Sequence, residues 1–295
     1  MQGGREPEGG RQGAAGRQAP GPRPPQHPPP AAPPPWLAAR ILALTDSVLI
    51  LDKPAGLPVH AARPGRPSVT DWLPQLRFGK RREPQPAHRL DADTAGCLVL
   101  GRTKPALAEL GAAFAARRVT KRYWAVVRGG PLAESGVIEL PLAKTSSAAT
   151  GWRMRADPAG QPARTLWRVL ARGAETTLLE LTPETGRTHQ LRVHCAASGW
   201  PILGDALYGP RGEAGPLHLL ARFVAVPGAS ATAPVPEALA AGFRAAGWTG
   251  QDEAAGPVLP SAGSGRPTEQ PTAEPKGSSP TIPAPGRVAG GGRGR

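Results

Sequence analysis

Cysteine is almost missing from this chain. Cys97 and Cys195 are the only two in 295 residues, which excludes a disulfide framework, and no CxxC pair offers a zinc site. A reducing cytoplasm is the compartment that suits such a chain. No apolar run approaches the roughly 18 residues a membrane-spanning helix needs, so no membrane partner is expected. The first residues lack the apolar stretch of a secretory signal. Their arginines resemble a transit peptide, but Glu6, Glu8 and the prolines from Pro20 to Pro35 oppose an amphipathic helix there. Aromatic residues are scarce at 4%, with two tyrosines in all. Acidic residues are the minority charge, Asp+Glu 22 against Lys+Arg 36, for a net +14.

Glycine and proline are abundant, 38 of each, and unevenly spread. Residues 1–35 hold 18 of them and residues 251–295 hold 17. Both ends therefore read as disordered tails, the first with a polyproline-prone run from Pro28 to Pro35, the second closing on Gly290-Gly-Gly-Arg-Gly-Arg, a featureless tail by composition, with an RGG-like end adding weak RNA affinity as the alternative. Residues 36–250 are expected to form one folded domain. That middle carries 27 basic and 16 acidic residues, a net of +11. Charge alone leaves two readings open, a polyanionic partner or a merely solvated basic surface.

Within the middle, Val48-Leu-Ile-Leu-Asp-Lys-Pro reads as a strand ended by Pro54, followed by a turn at Gly56. Ser68 caps a short helix through Trp72, Leu73 and Leu76. Arg77 to Pro86 is a basic loop between breakers, and Cys97-Leu-Val-Leu-Gly a buried strand. Thr103 caps a helix with Leu107, Leu110 and Phe114 on one face, Gly111 beside them for close packing, and Arg117 and Arg118 at its end. Strands follow at Tyr123–Val127, Thr165–Leu170 and Thr177–Leu181. A helix is predicted from about Arg187 to Ser198, closed by Gly199. Leu217–Val226 is another strand and Pro236–Ala246 a last helix. Runs of strands with helices interspersed favour an α+β fold.

Three segments concentrate polar groups. His88-Arg-Leu-Asp-Ala-Asp-Thr-Ala-Gly is a loop at a strand mouth, compatible with a carboxylate held beside a ligand or with a plain Asx turn. Thr185-Gly-Arg-Thr-His-Gln-Leu-Arg-Val-His crowds cations at a helix start, where Thr188 and Arg192 share one face and Arg187, Leu191 and His194 another. It fits pairing with a carboxylate and with phosphate, or a solvated face. A metal site on His189 and His194 is the sharper alternative, though i, i+5 spacing suits it badly and no HExxH accompanies it. In Val119-Thr-Lys-Arg-Tyr-Trp, one of the two tyrosines stands between basic residues and an apolar strand, as a base-stacking ring or an ordinary strand residue. A kinase reading of His-Arg-Leu-Asp fails, because neither a glycine-rich loop with its Val-Ala-x-Lys strand nor Asp-Phe-Gly occurs.

Taken in order, Lys53-Pro-Ala-Gly-Leu-Pro-Val-His, His88-Arg-Leu-Asp, Lys121-Arg-Tyr, Glu184-Thr-Gly-Arg-Thr-His-Gln-Leu-Arg-Val-His and Pro201-Ile-Leu-Gly-Asp-Ala-Leu-Tyr-Gly resemble the RluA-type RNA pseudouridine synthases, from about Leu49 to Val226. The resemblance implies a mixed, mostly antiparallel sheet with flanking helices and a central active-site cleft. It implies isomerisation of chosen uridines in structured RNA, ribosomal before transfer RNA, with no metal or organic cofactor, by a monomer. Asp91 would be the catalytic aspartate, Tyr123 would pack on the uracil and assist the late proton transfer from C5, and Arg192 would pair with Asp91. Arg89 would enter the RNA stack where the uridine leaves, and His88, Arg187, His189 and Leu191 would line the substrate. Asp93 is expected to be a loop or cap residue.

The chemistry suits those roles. Breaking an N-glycosidic bond puts positive character on C1′, which a carboxylate stabilises or traps, and an arginine close by favours the charged form such a carboxylate needs. Base flipping requires compensating phosphate contacts, for which Lys80, Arg81, Arg82, Arg117, Arg118, Lys121 and Arg122 are the candidates. Two departures stand out. Thr94-Ala95-Gly96 replaces the family's Thr-Ser-Gly, which puts one loop or phosphate contact in doubt. The 13 or so residues between Trp36 and Leu49 are too few for the N-terminal RNA-binding module many relatives carry. The rival readings are an RNA-binding paralogue without catalysis, against which Asp91, Tyr123 and Arg192 stand intact, and a metal-dependent hydrolase acting on RNA.

Overall fold

The structure is a computed structural model and describes residues 32–61, 65–147 and 151–250. Residues 1–31 and 251–295, where the Pro/Gly-rich tails are expected, lie outside the described residues.

Apolar runs become the central strands. In chain order come helix α1 (Pro35–Ala38), strands β1 (Ile41–Leu44) and β2 (Val48–Lys53), a 3-10 helix (Val69–Leu76), β3 (Gln85–Pro86), β4 (Ala95–Gly101) and helix α2 (Lys104–Ala115). Then follow β5 (Thr120–Arg128), β6 (Ser135–Glu139), β7 (Leu142–Ser147), β8 (Gly151–Ala156), β9 (Arg164–Arg172), β10 (Thr176–Pro183), α3 (Gln190–Ala197), β11 (Leu219–Val226), β12 (Ala229–Thr232) and α4 (Glu237–Ala245). One sheet runs β1-β2-β4-β11-β5-β10-β9-β6, with β3 added to β4 and β12 to β11, while β7 and β8 form a separate hairpin. Among the described residues only the β4–β11 pairing is parallel, so the sheet is mixed and mostly antiparallel, as expected for this α+β fold.

Alternation places successive side chains on opposite faces of a strand. Val48 and Ile50 of β2 join Leu110 of α2 and Leu239 and Phe243 of α4 on one face. Leu49 and Leu51 join Val69, Leu73 and Leu76 of the 3-10 helix on the other. Farther along that second face, Ala125, Val127, Leu179 and Leu181 pack on Leu191 and Cys195 of α3. Helices thus cover the sheet on both sides, which is why β2, β4 and β11 are apolar on both.

Local signals hold where they have a mechanism. Thr103 caps α2 by accepting from the Ala106 N–H at 3.2 Å. Ser68 forms a capping box with Asp71, and Pro74 inside that segment keeps it a 3-10 turn rather than an α-helix. Two expectations fail. Gly111 faces solvent with nothing near it, so it serves no packing; Gly101 is the residue that lets α2 approach, since a Cβ there would sit 2.9 Å from the Leu107 Cα. The helix expected from Arg187 starts at Gln190, because His189 takes a left-handed φ of 53°. Thr188 and Arg187 therefore lie outside it, and the shared helix faces expected for them do not form. Among the described residues no helix is long and apolar enough to cross a membrane.

Candidate active site

The loop before β4 carries Asp91 to the open end of the sheet. Its turn closes with the Thr94 N–H donating to the Asp91 carbonyl at 3.2 Å. Lys53, at the end of β2 and 0% exposed, fixes it from beneath. The Lys53 ammonium donates to the carbonyls of Pro54, Leu57 and Ala92, each at 2.8 Å. Burial lowers its pKa to about 8, against the charges of Asp93, Asp91 and Asp52. Gly96 completes the support. Its φ is +105°, and a Cβ there would stand 2.3 Å from the Ala221 carbonyl of β11, so only glycine lets the parallel strands meet beside the loop. Ala95, the departure from the Thr-Ser-Gly pattern of the family the sequence resembles, is 1% exposed in the apolar core. That side chain cannot make the phosphate contact thought to be at stake.

Three elements converge on the Asp91 carboxylate. From α3, Arg192 brings Nη1 to 3.9 Å of Oδ2. From the left-handed residue before α3, His189 brings Nε2 to 3.9 Å of the same oxygen. From β5, Tyr123 lies within electrostatic reach: burial raises its phenol pKa far above neutrality, and the Asp91 charge adds to the rise. Tyr123 sits opposite a bulge in β11, where Leu220 pairs Trp124 and Phe223 pairs Arg122. Bulges of this kind re-aim side chains beside functional sites.

The Arg192–Asp91 ion pair forms, but through Nη1 alone. The Arg192 fork is spent on Asp205, Nε to Oδ2 at 2.8 Å and Nη2 to Oδ1 at 2.7 Å, leaving only Nη1 toward Asp91. Asp205 is 0% exposed and its Oδ1 also accepts the N–H groups of Leu207 and Tyr208. Burial disfavours the guanidinium charge, but the bonds and charge of Asp205 outweigh it and raise the Arg192 pKa. Tyr208 stacks 5.2 Å beneath the guanidinium and its hydroxyl lies 2.7 Å from His189 Nδ1. Asp205 and Tyr208 belong to the Gly204-Asp-Ala-Leu-Tyr-Gly segment, where the second of the two tyrosines was the available signal. Trp152 of the β7–β8 hairpin was missed too. It is 46% exposed, stacks on His189 at 5.3 Å and lies beneath Lys144 Nζ at 5.3 Å.

Other expected residues divide. Arg89 is exposed and has no ion pair among the described residues, free to meet a substrate. Its neighbour His88 is not a substrate contact. The His88 Nε2 accepts the Val99 N–H at 3.0 Å, the ring lies on Phe114, and burial lowers its pKa to about 4. A neutral imidazole is what an acceptor for a strand N–H must be, so His88 braces β4. Leu191 is buried in the cluster against which Tyr123 packs, so it supports that ring from within the core. Arg187 donates from Nε to the Pro162 carbonyl at 3.2 Å, at the rim. His194 places both ring nitrogens on Thr165 and Leu140. Among the described residues no group of three or more His, Cys, Asp or Glu is arranged to hold a metal. Lys121 is half-buried on β5, where burial lowers its pKa. Asp93 is exposed in the turn. Lys80, Arg81 and Arg82 are not brought to Asp91: they precede β3, whose Gln85 pairs Gly101 at the far end of β4.

Comparison with known proteins identifies the family. Residues 47–197 match the RNA pseudouridylate synthase family. An uncharacterized RNA pseudouridine synthase of Zymomonas mobilis is 48% identical over 174 residues, 59% of this chain and 80% of that protein. Ribosomal large subunit pseudouridine synthase C of Vibrio cholerae is 39% identical over 170 residues, 56% of this chain and 51% of that one, so the chain spans about half the length of that relative. Among solved structures, human RNA pseudouridylate synthase domain containing 4 superposes with a TM-score of 0.61 at 28% identity, over 72% of this chain and 94% of that one. The chain belongs to the RluA-type RNA pseudouridine synthases, a family of isomerases.

Proposed function

We propose that the protein converts specific uridines of structured RNA to pseudouridine, with Asp91 as the essential carboxylate and no cofactor. The observation that carries this is the convergence of Arg192 and His189 on one partly exposed carboxylate, Asp91, whose side chain is 18% exposed, with Tyr123 within its electrostatic reach. In the reaction the N1–C1′ bond breaks, the uracil turns while bound, and C5–C1′ forms. C5 loses its proton to solvent and N1 gains one. Asp91 stabilises or traps C1′ while it is electron-poor. Arg192, held from behind by Asp205, orients that carboxylate. Tyr123 packs on the uracil as a neutral ring, since its raised pKa keeps the phenol protonated at pH 7.

Arg89, exposed beside the catalytic residue, fills the gap the flipped base leaves in the stack. The substrate preference we infer is ribosomal over transfer RNA, by a monomer in the cytoplasm; the support is the relatives whose names specify the ribosomal large subunit. The test is tritium release from C5-labelled uridine in separate ribosomal and transfer RNA transcripts. Release from ribosomal RNA ahead of transfer RNA is expected. Release confined to transfer RNA would overturn the preference, and tight binding with no release from either would favour a silent RNA-binding paralogue.

A further inference from the structure

At the other end of β4 from Asp91, the loop after the 3-10 helix and the start of α2 frame an open cavity of about 490 Å³. Arg77, Arg81, Arg82, Arg102 and Lys104 line it, and its one carboxylate, Glu83, is already bonded to Arg77 at 2.6 Å. Arg81, Arg82 and Lys104 have no ion pair among the described residues. Arg102 is the telling member. It is 6% exposed, and its terminal nitrogens donate only to neutral carbonyls, those of Thr45, Arg77 (3.1 Å) and Phe78 (2.9 Å), while Nε has no partner. The nearby Asp46 is solvent-exposed and paired with Lys80. A guanidinium buried among dipoles is costly unless a counter-charge arrives. The N-terminus of the 12-residue α2, with Lys104 at its first position, adds its positive end to the same cavity.

We infer that this cavity is an anion site that takes one backbone phosphodiester of the RNA substrate, away from the uridine being modified. The inference rests on the RNA-modifying role proposed above. The spacing suits a second point of attachment: Ala95 to Gly101 is six strand steps, about 20 Å at roughly 3.3 Å each, so phosphate and target base are gripped at separate places. Such a contact adds affinity and register and carries no base information.

The test uses the full chain with exposed residues changed, so that the fold is kept. Arg82→Gln/Lys104→Gln removes two charges from the cavity, and Arg244→Glu, at an exposed position of α4, changes the net charge equally elsewhere. Inorganic phosphate is titrated into each protein by NMR, and binding of a ribosomal RNA stem-loop is followed against salt. The expected result is saturable phosphate binding by wild type and Arg244→Glu, lost in the double variant. The double variant also loses about one unit of the slope of log affinity against log salt, so the wild-type advantage shrinks roughly tenfold per tenfold rise in salt. An unchanged slope overturns the proposal, and phosphate binding that persists beside it marks a site for free anions only. Equal slope losses in both variants overturn it too, as a general charge effect. No readout needs turnover, so failure of the isomerase reading shows separately as absent tritium release.

Discussion

Asp205→Asn is the substitution that best separates support from chemistry. Asp205 is fully buried and accepts four hydrogen bonds, two from Arg192 and two from the Leu207 and Tyr208 N–H groups. Asparagine keeps one acceptor oxygen and turns an amide NH₂ toward donors, leaving Arg192, itself 4% exposed, short of a counter-charge. Breaking a buried pair from one side costs about 3–5 kcal/mol. With a urea m-value of about 2 kcal/mol/M, the unfolding midpoint should fall by roughly 2 M. Arg192 Nη1 should also lose its fixed position 3.9 Å from Asp91, and turnover by tritium release should fall at least about tenfold, the scale of a lost orienting contact. Replacing both partners, Arg192→Met with Asp205→Asn, should restore part of the stability, because the unpaired buried charge is gone while the asparagine Oδ1 still accepts the Leu207 and Tyr208 N–H groups, yet leave turnover lost. A loss under about 1 kcal/mol with wild-type turnover for Asp205→Asn would refute the reasoning.

His88 sets a pH dependence. Its folded pKa is about 4 against an ordinary 6.5, so the unfolded chain takes up the proton first as pH falls. The stability is fully present above pH 6.5 and is lost as pH drops toward 4, about 3 kcal/mol at most at 1.36 kcal/mol per unit. His88→Gln keeps an acceptor for the Val99 N–H, and should flatten the fall in urea midpoint between pH 7 and pH 4.5; parallel curves would contradict this. Gly96→Ala should destabilise by about 3 kcal/mol or more, since its Cβ meets the Ala221 carbonyl at 2.3 Å in a left-handed backbone, and calorimetry showing a loss below about 1 kcal/mol would count against it.

The sequence was readable where one physical signal dominated. The cores of β2, β4, β5, β10 and β11 are apolar runs, and α2 has a capping threonine before an i, i+3, i+7 face. The β7–β8 hairpin was unreadable because Lys144, Thr145 and Arg153 break any alternation. The start of α3 was misplaced because nothing in Arg187-Thr-His marks His189 as left-handed. Asp91, Tyr123 and Arg192 were singled out from their motifs, and the fold sets Arg192 in an ion pair with Asp91 and Tyr123 within electrostatic reach of it. Their support was not: Asp205 lies 13 positions from Arg192 without a periodic relation to it, and His88 and Arg89, adjacent in an irregular loop, have opposite fates. Lys80, Arg81 and Arg82 were candidate phosphate contacts by charge, and β3 pairing carries them to the far end of β4.

The central claim is that one carboxylate carries the chemistry while the rest of the cleft binds. Asp91→Asn tests it most directly, because it removes the charge and preserves volume at a side chain whose ion-pair contacts are both 3.9 Å long. Single-turnover tritium release from C5-labelled ribosomal RNA should disappear in the variant, while RNA affinity and unfolding midpoint stay near wild type. Release at a near-normal rate from Asp91→Asn would contradict the account.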